Sequence, residues 1–343
     1  MTLSEKAEDN FIQRYFAPLA QSPEALGLHD DAAQIPVPDG QSLVISTDTL
    51  VSGVHFFDVD PPDTIAKKAL RVNLSDLVAK GAIPKGYFLS LAMPEEKLQS
   101  DTWMSQFSDG LASDQDLFRV SLMGGDTVRT PGLTVISICA FGFVPQGKMV
   151  TRAKAKPKDR VYVTGTIGDS AIGLLVRQAR LFGDNKLSDA ERVIYDALTA
   201  DRKDIFEQRY LVPIPKISAA PVILRFATAS MDISDGLVGD ANSLARVSNV
   251  GLELQLERIP NHALLADLSD ISGLDKMLIT GGDDYEILCT VSEKDSGAFE
   301  NEMMVLDVPT KFIGTVNSTA GVRFVSSDNI PIDLGKASFD HFS

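Results

Sequence analysis

Lys68 to Ala82 reads KALRVNLSDLVAKGA, and the apolar positions in and just before it, Ala66, Ala69, Leu70, Leu74, Leu77 and Val78, recur three and four residues apart. That spacing, with Asn73 on the same stripe, predicts a helix over Thr64–Lys80, stopped by Gly81 and by Pro84 shortly after. Asp76 follows Asn73 by three positions, so the two share a face beside Leu74 and Leu77. A carboxylate that close to a buried stripe needs a partner, and a metal ion is one that would serve.

Outward from this helix, runs rich in β-branched and aromatic residues are bounded by Gly, Pro or Asp. They predict strands at Leu43–Ile45, Phe88–Leu91, Val120–Met123, Thr134–Phe143 and Arg160–Thr164. Helical spacing recurs at Met104–Ser113 and Ser170–Leu181. The polar, punctuated segment Gln146–Asp159 reads as a domain boundary. A chain of 343 residues exceeds what one core usually organises, so an N-terminal domain over 1–148 and a C-terminal domain over 149–343 are expected. The second half repeats the mixture, with helices at Asp189–Ala200 and Gly236–Val247 and strands at Gly251–Leu256, Tyr285–Val291 and Lys311–Gly314. Mixed elements without strict alternation favour an α+β class.

Composition narrows the function. With 44% hydrophobic and 23% charged residues the chain fits a soluble globular protein. No run approaches the roughly 18 apolar residues of a membrane span, and Met1–Asn10 is polar and acidic, so a cytoplasmic location is expected. Cys139 and Cys289 lie in apolar runs and read as buried reduced thiols without a catalytic role. A formal charge of -15 repels nucleic acid and anionic lipid unless a basic patch offsets it. The densest basic segment, Arg152–Arg160, reads equally as a solvated linker or a phosphate-facing strip.

The aspartates carry the chemistry. They recur at the ends of apolar runs beside Gly, Ser and Thr: His29-Asp30-Asp31, Ser46-Thr47-Asp48-Thr49, Ser75-Asp76, Gly124-Gly125-Asp126-Thr127, Asp232-Ile233-Ser234-Asp235-Gly236 and Gly281-Gly282-Asp283-Asp284. Each alone is ordinary turn or cap chemistry. Together they suit a magnesium site, because hard cations take a few carboxylates and finish their shell with water and substrate phosphates. Gly124 and Gly125, after the strand ending at Met123, offer bare backbone that a phosphate could approach. There is no GxxxxGK[ST] loop and no protein-kinase signature, so a phosphoryl-transfer enzyme here must use another fold. His55, just past Asp48, is the most suggestive histidine, although a lone His is more often structural.

In order along the chain, GLHDDAA, STDTLVSGVHF, KALRVNLSDLVAKGA, LMGGDT, TRAKAKPKDRVYVTGTIGDSAIGL, MDISDGL, GGDDYEI and SFDHF resemble the thiamine-monophosphate kinase family, of the superfamily that includes aminoimidazole ribonucleotide synthetase. The resemblance spans nearly the whole sequence. It implies a two-domain α+β fold whose N-terminal strands form a barrel across a homodimer, with ATP as co-substrate, Mg²⁺ on its phosphates and thiamine monophosphate as acceptor. Carried over motif by motif, Asp30, Ser46, Thr47, Asp48, Asp76, Asp126, Asp232 and Asp235 resemble metal ligands, and Gly125, Asp126, Arg152 and Ser234 contacts to ATP. His55, Asp283 and Phe339 resemble substrate contacts, and Asp126, Asp48 and Arg152 the catalytic set.

This sequence departs from the family pattern twice. His29 replaces the second Gly of Gly-x-Gly-Asp-Asp, which would change how Asp30 is presented if that position needs positive φ. Asp283 replaces the usual Glu, one methylene shorter. The implied reaction is in-line transfer of the ATP γ-phosphoryl group, resting on charge neutralisation and alignment with no strong general base. Two rival readings are another ATP-dependent synthetase of the superfamily and a non-catalytic cation-binding protein. The sequence lacks the EF-hand loop that the second would favour.

Overall fold

A computed structural model of the chain describes residues 7–328 and 330–332. Its contacts divide into two compact units: residues up to 77 with 82–148, and residues 78–81 with 149 onward.

The first unit runs α1 (Ala7–Tyr15), β1 (Gln41–Val51), α2 (Pro62–Ala79), β2 (Ile83–Met93), α3 (Glu95–Leu98), α4 (Asp101–Phe118), β3 (Ser121–Arg129) and β4 (Val135–Pro145). Its four strands lie in the order β1-β4-β2-β3, antiparallel except for the parallel pair β2–β3 that α4 joins. The predicted helix is α2, and it is buried on nearly every side, as a central helix must be. Two of its charges are buried with it. Arg71 forks onto Asp114 of α4 with Nε–Oδ2 and Nη2–Oδ1 both 2.7 Å, and Asp114 is fully buried. Removing one partner of such a pair typically costs about 3–5 kcal/mol, because the other charge stays buried.

β1 is longer than the Leu43–Ile45 run predicted. It carries Ser46-Thr47-Asp48-Thr49 as regular strand because β4 pairs with it along its whole length. Cross-strand pairing here overrides the poor strand propensity of Asp. On the face away from α2, Leu43, Ile45 and Val128 are 38%, 58% and 47% exposed.

The second unit runs β5 (Arg160–Thr164), α5 (Asp169–Phe182), α6 (Asp189–Ala197), α7 (Ala200–Leu211), α8 (Ala220–Phe226), β6 (Ala227–Ile233) and α9 (Leu237–Ser248). It continues with β7 (Gly251–Gln255), α10 (Leu274–Thr280), β8 (Glu286–Val291), α11 (Ser296–Val305), β9 (Thr310–Asn317), β10 (Gly321–Val325) and β11 (Pro331–Ile332). The mixed sheet has the order β11-β10-β7-β9-β5-β8-β6. Alternation sends Val161, Val163, Met231 and Leu288 into a core with α9, and Tyr162, Ile287, Cys289 and Val291 into another with α8 and α11. Both faces of the sheet are thus covered. β6 was not legible in the sequence, because Ala227-Thr228-Ala229-Ser230 is a run of small residues without an apolar signal.

Candidate active site

In the first unit the site grows from the alternation of β1. Ser46 and Asp48 point to the face that α2 covers, where Ser46 Oγ donates to Asp76 Oδ2 at 2.5 Å and the Asp48 N–H donates to Asn73 Oδ1 at 3.0 Å. Asn73 and Asp76, one helical turn apart, therefore both reach the strand, as their spacing predicts. Thr47 lies between Ser46 and Asp48 and faces the other, exposed side. Cross-strand register places Asp126 on that exposed side as well, in a row with Ser90, Ser137 and Thr49. Within this unit the candidate carboxylates thus fall on two sides of the sheet, Asp48 and Asp76 on the side that α2 covers and Asp126, with Asp30 in the same cleft, on the other.

Asp30 and Asp126 line one cleft of about 550 Å³, with Phe88, Ser90, Gly124 and Gly125 on its wall. Gly124 and Gly125 do not form a loop after a strand. They lie inside β3, and a Cβ on Gly125 would sit 1.9 Å from the Leu89 carbonyl oxygen, so the ladder itself requires glycine there. His29 does not disturb Asp30 through its backbone, because its φ is −97°. The left-handed backbone falls at Leu26, Gly27 and Leu28, just before it.

His55 is locked in place. Its Nδ1 accepts the Val51 N–H at 3.1 Å, its own N–H donates to the Val51 carbonyl at 3.0 Å, and Lys68, 2% exposed, donates from Nζ to its carbonyl at 3.0 Å. A neutral ring held this way carries its proton on Nε2, which makes it a donor. Lys68 had no signal in the sequence beyond being a cation on a helix face that proved to be buried.

In the second unit two motifs meet at one end of the neighbouring strands β6 and β8. The Asp283 N–H donates to the Ser234 carbonyl at 2.9 Å and the Tyr285 N–H to the Ile233 carbonyl at 2.8 Å. A Cβ on Gly282 would lie 2.3 Å from the Ser234 carbonyl oxygen, and one on Gly236 2.6 Å from that of Thr280. Asp232 is buried at the end of β6, Ser234 is half-buried and Asp235 exposed. Beneath them Asp240 Oδ2 accepts both the Ser234 and Asp235 N–H groups, at 2.9 and 3.0 Å. Burial pushes the Asp240 carboxyl up to about 7, with Asp235 adding to the rise and the two amides opposing it.

The second motif alternates in and out. Asp283 and Tyr285 are half-buried, with φ of 69° and 51°, while Asp284 and Glu286 are buried. Asp tolerates left-handed backbone better than most side chains, so the short residue at 283 suits its conformation. Glu286 accepts from Lys216 Nζ at 2.8 Å and from Thr164 Oγ1 at 2.6 Å; burial raises its pKa against the pull of Lys216. Burial likewise raises that of Asp284, opposed by the backbone N–H of Gly168. Asp284 and Glu286 entered the sequence reading only as members of their motif and Asp240 not at all, because only burial marks the three out.

Arg152 is exposed, as are Lys154, Lys156 and Lys158, whereas Arg160 at the end of the strip is half-buried and lies 3.8 Å from Glu300. Cys289 is fully buried, its thiol pushed up to about 12 by that burial. Cys139 is only partly buried, because its register position faces the open side of the first sheet. Phe339 lies outside the described residues.

Among the described residues no three His, Cys, Asp or Glu side chains gather as a ready-made metal cage. The donor set is nevertheless oxygen throughout, from pairs of carboxylates and a hydroxyl. It fits magnesium, which binds through one or two carboxylates and leaves the rest of its shell to water and substrate phosphates.

The family described as AIR synthase related protein, N-terminal domain, matches residues 29–144. A thiamine-monophosphate kinase of Escherichia coli K12 is 38% identical over 340 residues, covering 98% of each chain. A crystal structure of thiamine-monophosphate kinase from Stenotrophomonas maltophilia K279a superposes with a TM-score of 0.78 at 33% identity, covering 94% of this chain and 97% of that one. A structure described as AaThiL complexed with AMPPCP and TMP superposes with a TM-score of 0.73 at 28% identity, covering 91% of each.

Proposed function

This chain belongs to the thiamine-monophosphate kinase family, and on that premise we propose that it transfers the γ-phosphoryl group of ATP to a phosphate oxygen of thiamine monophosphate, releasing thiamine diphosphate and ADP. The observation that carries the reading is the locked pair of motif loops, with Ser234 and Asp235 on one and Asp283 on the other. Residues matched to nucleotide and acceptor are thereby carried on a single rigid end of the sheet.

In the first unit Asp30, Ser46, Thr47, Asp48, Asp76 and Asp126 are groups that would hold Mg²⁺, and in the second unit Asp232 and Asp235 are further candidates. When bound, the cation supplies neutralisation of phosphate charge. The acceptor is already an anion, so His55 works as a donor: its Nε2–H orients the acceptor phosphate, and no proton need be removed. In the second unit, Asp283 is the proposed acceptor contact, and Phe339 is proposed as an aromatic one. The exposed Arg152 guanidinium is free to reach the ATP phosphates, where a planar fork matches phosphate oxygens.

The open face of the first sheet supports a homodimer in which this face meets its copy in a barrel. Leu43, Ile45 and Val128 would be covered there. Among the described residues no helix is long and apolar enough to cross a membrane, and we assign the protein to the cytoplasm. The test is ADP release with chromatographic detection of thiamine diphosphate, with and without magnesium and thiamine monophosphate. Equal yields of ADP and thiamine diphosphate, lost on chelation, support the reading. ADP formed only with another phosphorylated acceptor would assign a different substrate, and no ADP under any condition would sink it.

A further inference from the structure

The backbone that presents Asp283 is strained. Asp283 and Tyr285 both adopt left-handed φ, which non-glycine residues hold only when their surroundings over-determine it. The two main-chain bonds to Ile233 and Ser234 fix one side of this loop. The other side is fixed by the residue between them. Asp284 turns inward, 8% exposed, and its Oδ2 accepts the Gly168 N–H at 2.7 Å while its Oδ1 accepts the Ser170 N–H at 3.3 Å.

Those two amides open α5. Its N-cap position is Gly168, with φ 90° and no side chain to cap the helix. The cap that a Ser or Asp would normally give locally is supplied here from 116 residues away in sequence. Loop and helix are also in direct contact, since a Cβ on Gly281 would meet the Ala171 Cβ at 2.3 Å. The helix end and the loop therefore cannot move independently.

We propose that Asp284 is a positioning residue for the phosphoryl acceptor: by latching loop 281–285 to the first turn of α5, it fixes where the Asp283 carboxylate stands. This inference rests on the kinase reading above. A carboxylate that only capped a helix would affect stability and leave the two substrates equally bound. A latch on the acceptor loop affects one substrate more than the other.

The test is steady-state kinetics of the full chain with ATP and thiamine monophosphate varied separately, for wild type and Asp284→Asn, an isosteric change that keeps one acceptor oxygen. Asp284→Asn is expected to raise the KM for thiamine monophosphate about tenfold with the KM for ATP within about twofold, and Asp284→Ala to exceed it. A folded Asp284→Asn with both KM values unchanged would overturn the inference, as would a parallel rise in both that tracks a lowered unfolding temperature. A second measurement needs no variant: thiamine monophosphate added to wild type should slow hydrogen exchange at the Gly168 and Ser170 amides, and unaltered exchange would count against the latch. A wild type that makes no thiamine diphosphate would instead remove the kinase reading, and this inference with it.

Discussion

The two units hold their candidate residues by opposite means. In the first, Ser46 and Asp48 ride on a regular strand and are met by Asn73 and Asp76 from one helix, with no unusual backbone on either. In the second, Ser234, Asp235 and Asp283 ride on loops that need glycine at 236 and 282, left-handed φ at 283 and 285, and the buried carboxylates of Asp240 and Asp284 underneath. Strand positions come without strain, because alternation and register already decide where each side chain points. Loop positions come with strain and with buried carboxyl groups. The first set should therefore fail by losing chemistry, and the second by losing geometry.

Asp126→Asn gives the clearest break in the first set. Its side chain is exposed on a regular strand, so turnover should fall about 10³-fold while the unfolding temperature stays that of wild type. Near-normal ADP release from this variant would end its assignment as a ligand. Gly282→Ala is the matching break in the second set. Its Cβ must displace the Ser234 carbonyl, and kcat/KM for thiamine monophosphate should drop about 10²-fold even though no functional group is removed. Retained kcat/KM would show that the loops tolerate separation.

Glycines in the first set sharpen the same contrast through stability. Gly125→Ala forces a Cβ against the Leu89 carbonyl and should cost about 1–3 kcal/mol in urea unfolding. Gly124→Ala, which meets only the Phe88 ring at 3.3 Å, should cost less than about 1 kcal/mol. Equal costs would refute the close-approach account of Gly125.

The smallest effect concerns Asp240. Its carboxyl titrates near 7 in the folded chain against 3.8 in its unperturbed state, so the folded state holds the extra proton between those values. Stability from this group is complete below the lower value and is lost as pH rises through the higher one. Asp240→Asn can keep both amide bonds on its single oxygen. In the presence of a chelator its unfolding temperature should therefore fall less than wild type between about pH 4 and pH 7. Parallel curves would show that Asp240 is not the titrating group.

Legibility followed the same division. Asn73 and Asp76 could be paired from a spacing of three, and the burial of α2 from its apolar positions, because helix geometry is local. Ser46 and Asp48 were nominated from one motif, yet nothing local showed that Thr47 between them faces away and that Asp126 shares its side. That outcome needed the register of four strands. The doubt over His29 dissolved once its φ proved negative, and the short Asp283 fits a backbone torsion that no motif records.

What the sequence determined by itself was the inventory: an acidic, oxygen-rich set of motifs in family order, a helix with one apolar stripe, and a mixed α+β chain. These follow from residue type and short-range spacing, which a chain carries before it folds. Only the tertiary structure decided which carboxylates face outward and which are turned inward onto backbone N–H groups. Asp283 and Asp284 are chemically identical neighbours, and burial against α5 separates them because a carboxylate taken from water must find backbone N–H groups to accept.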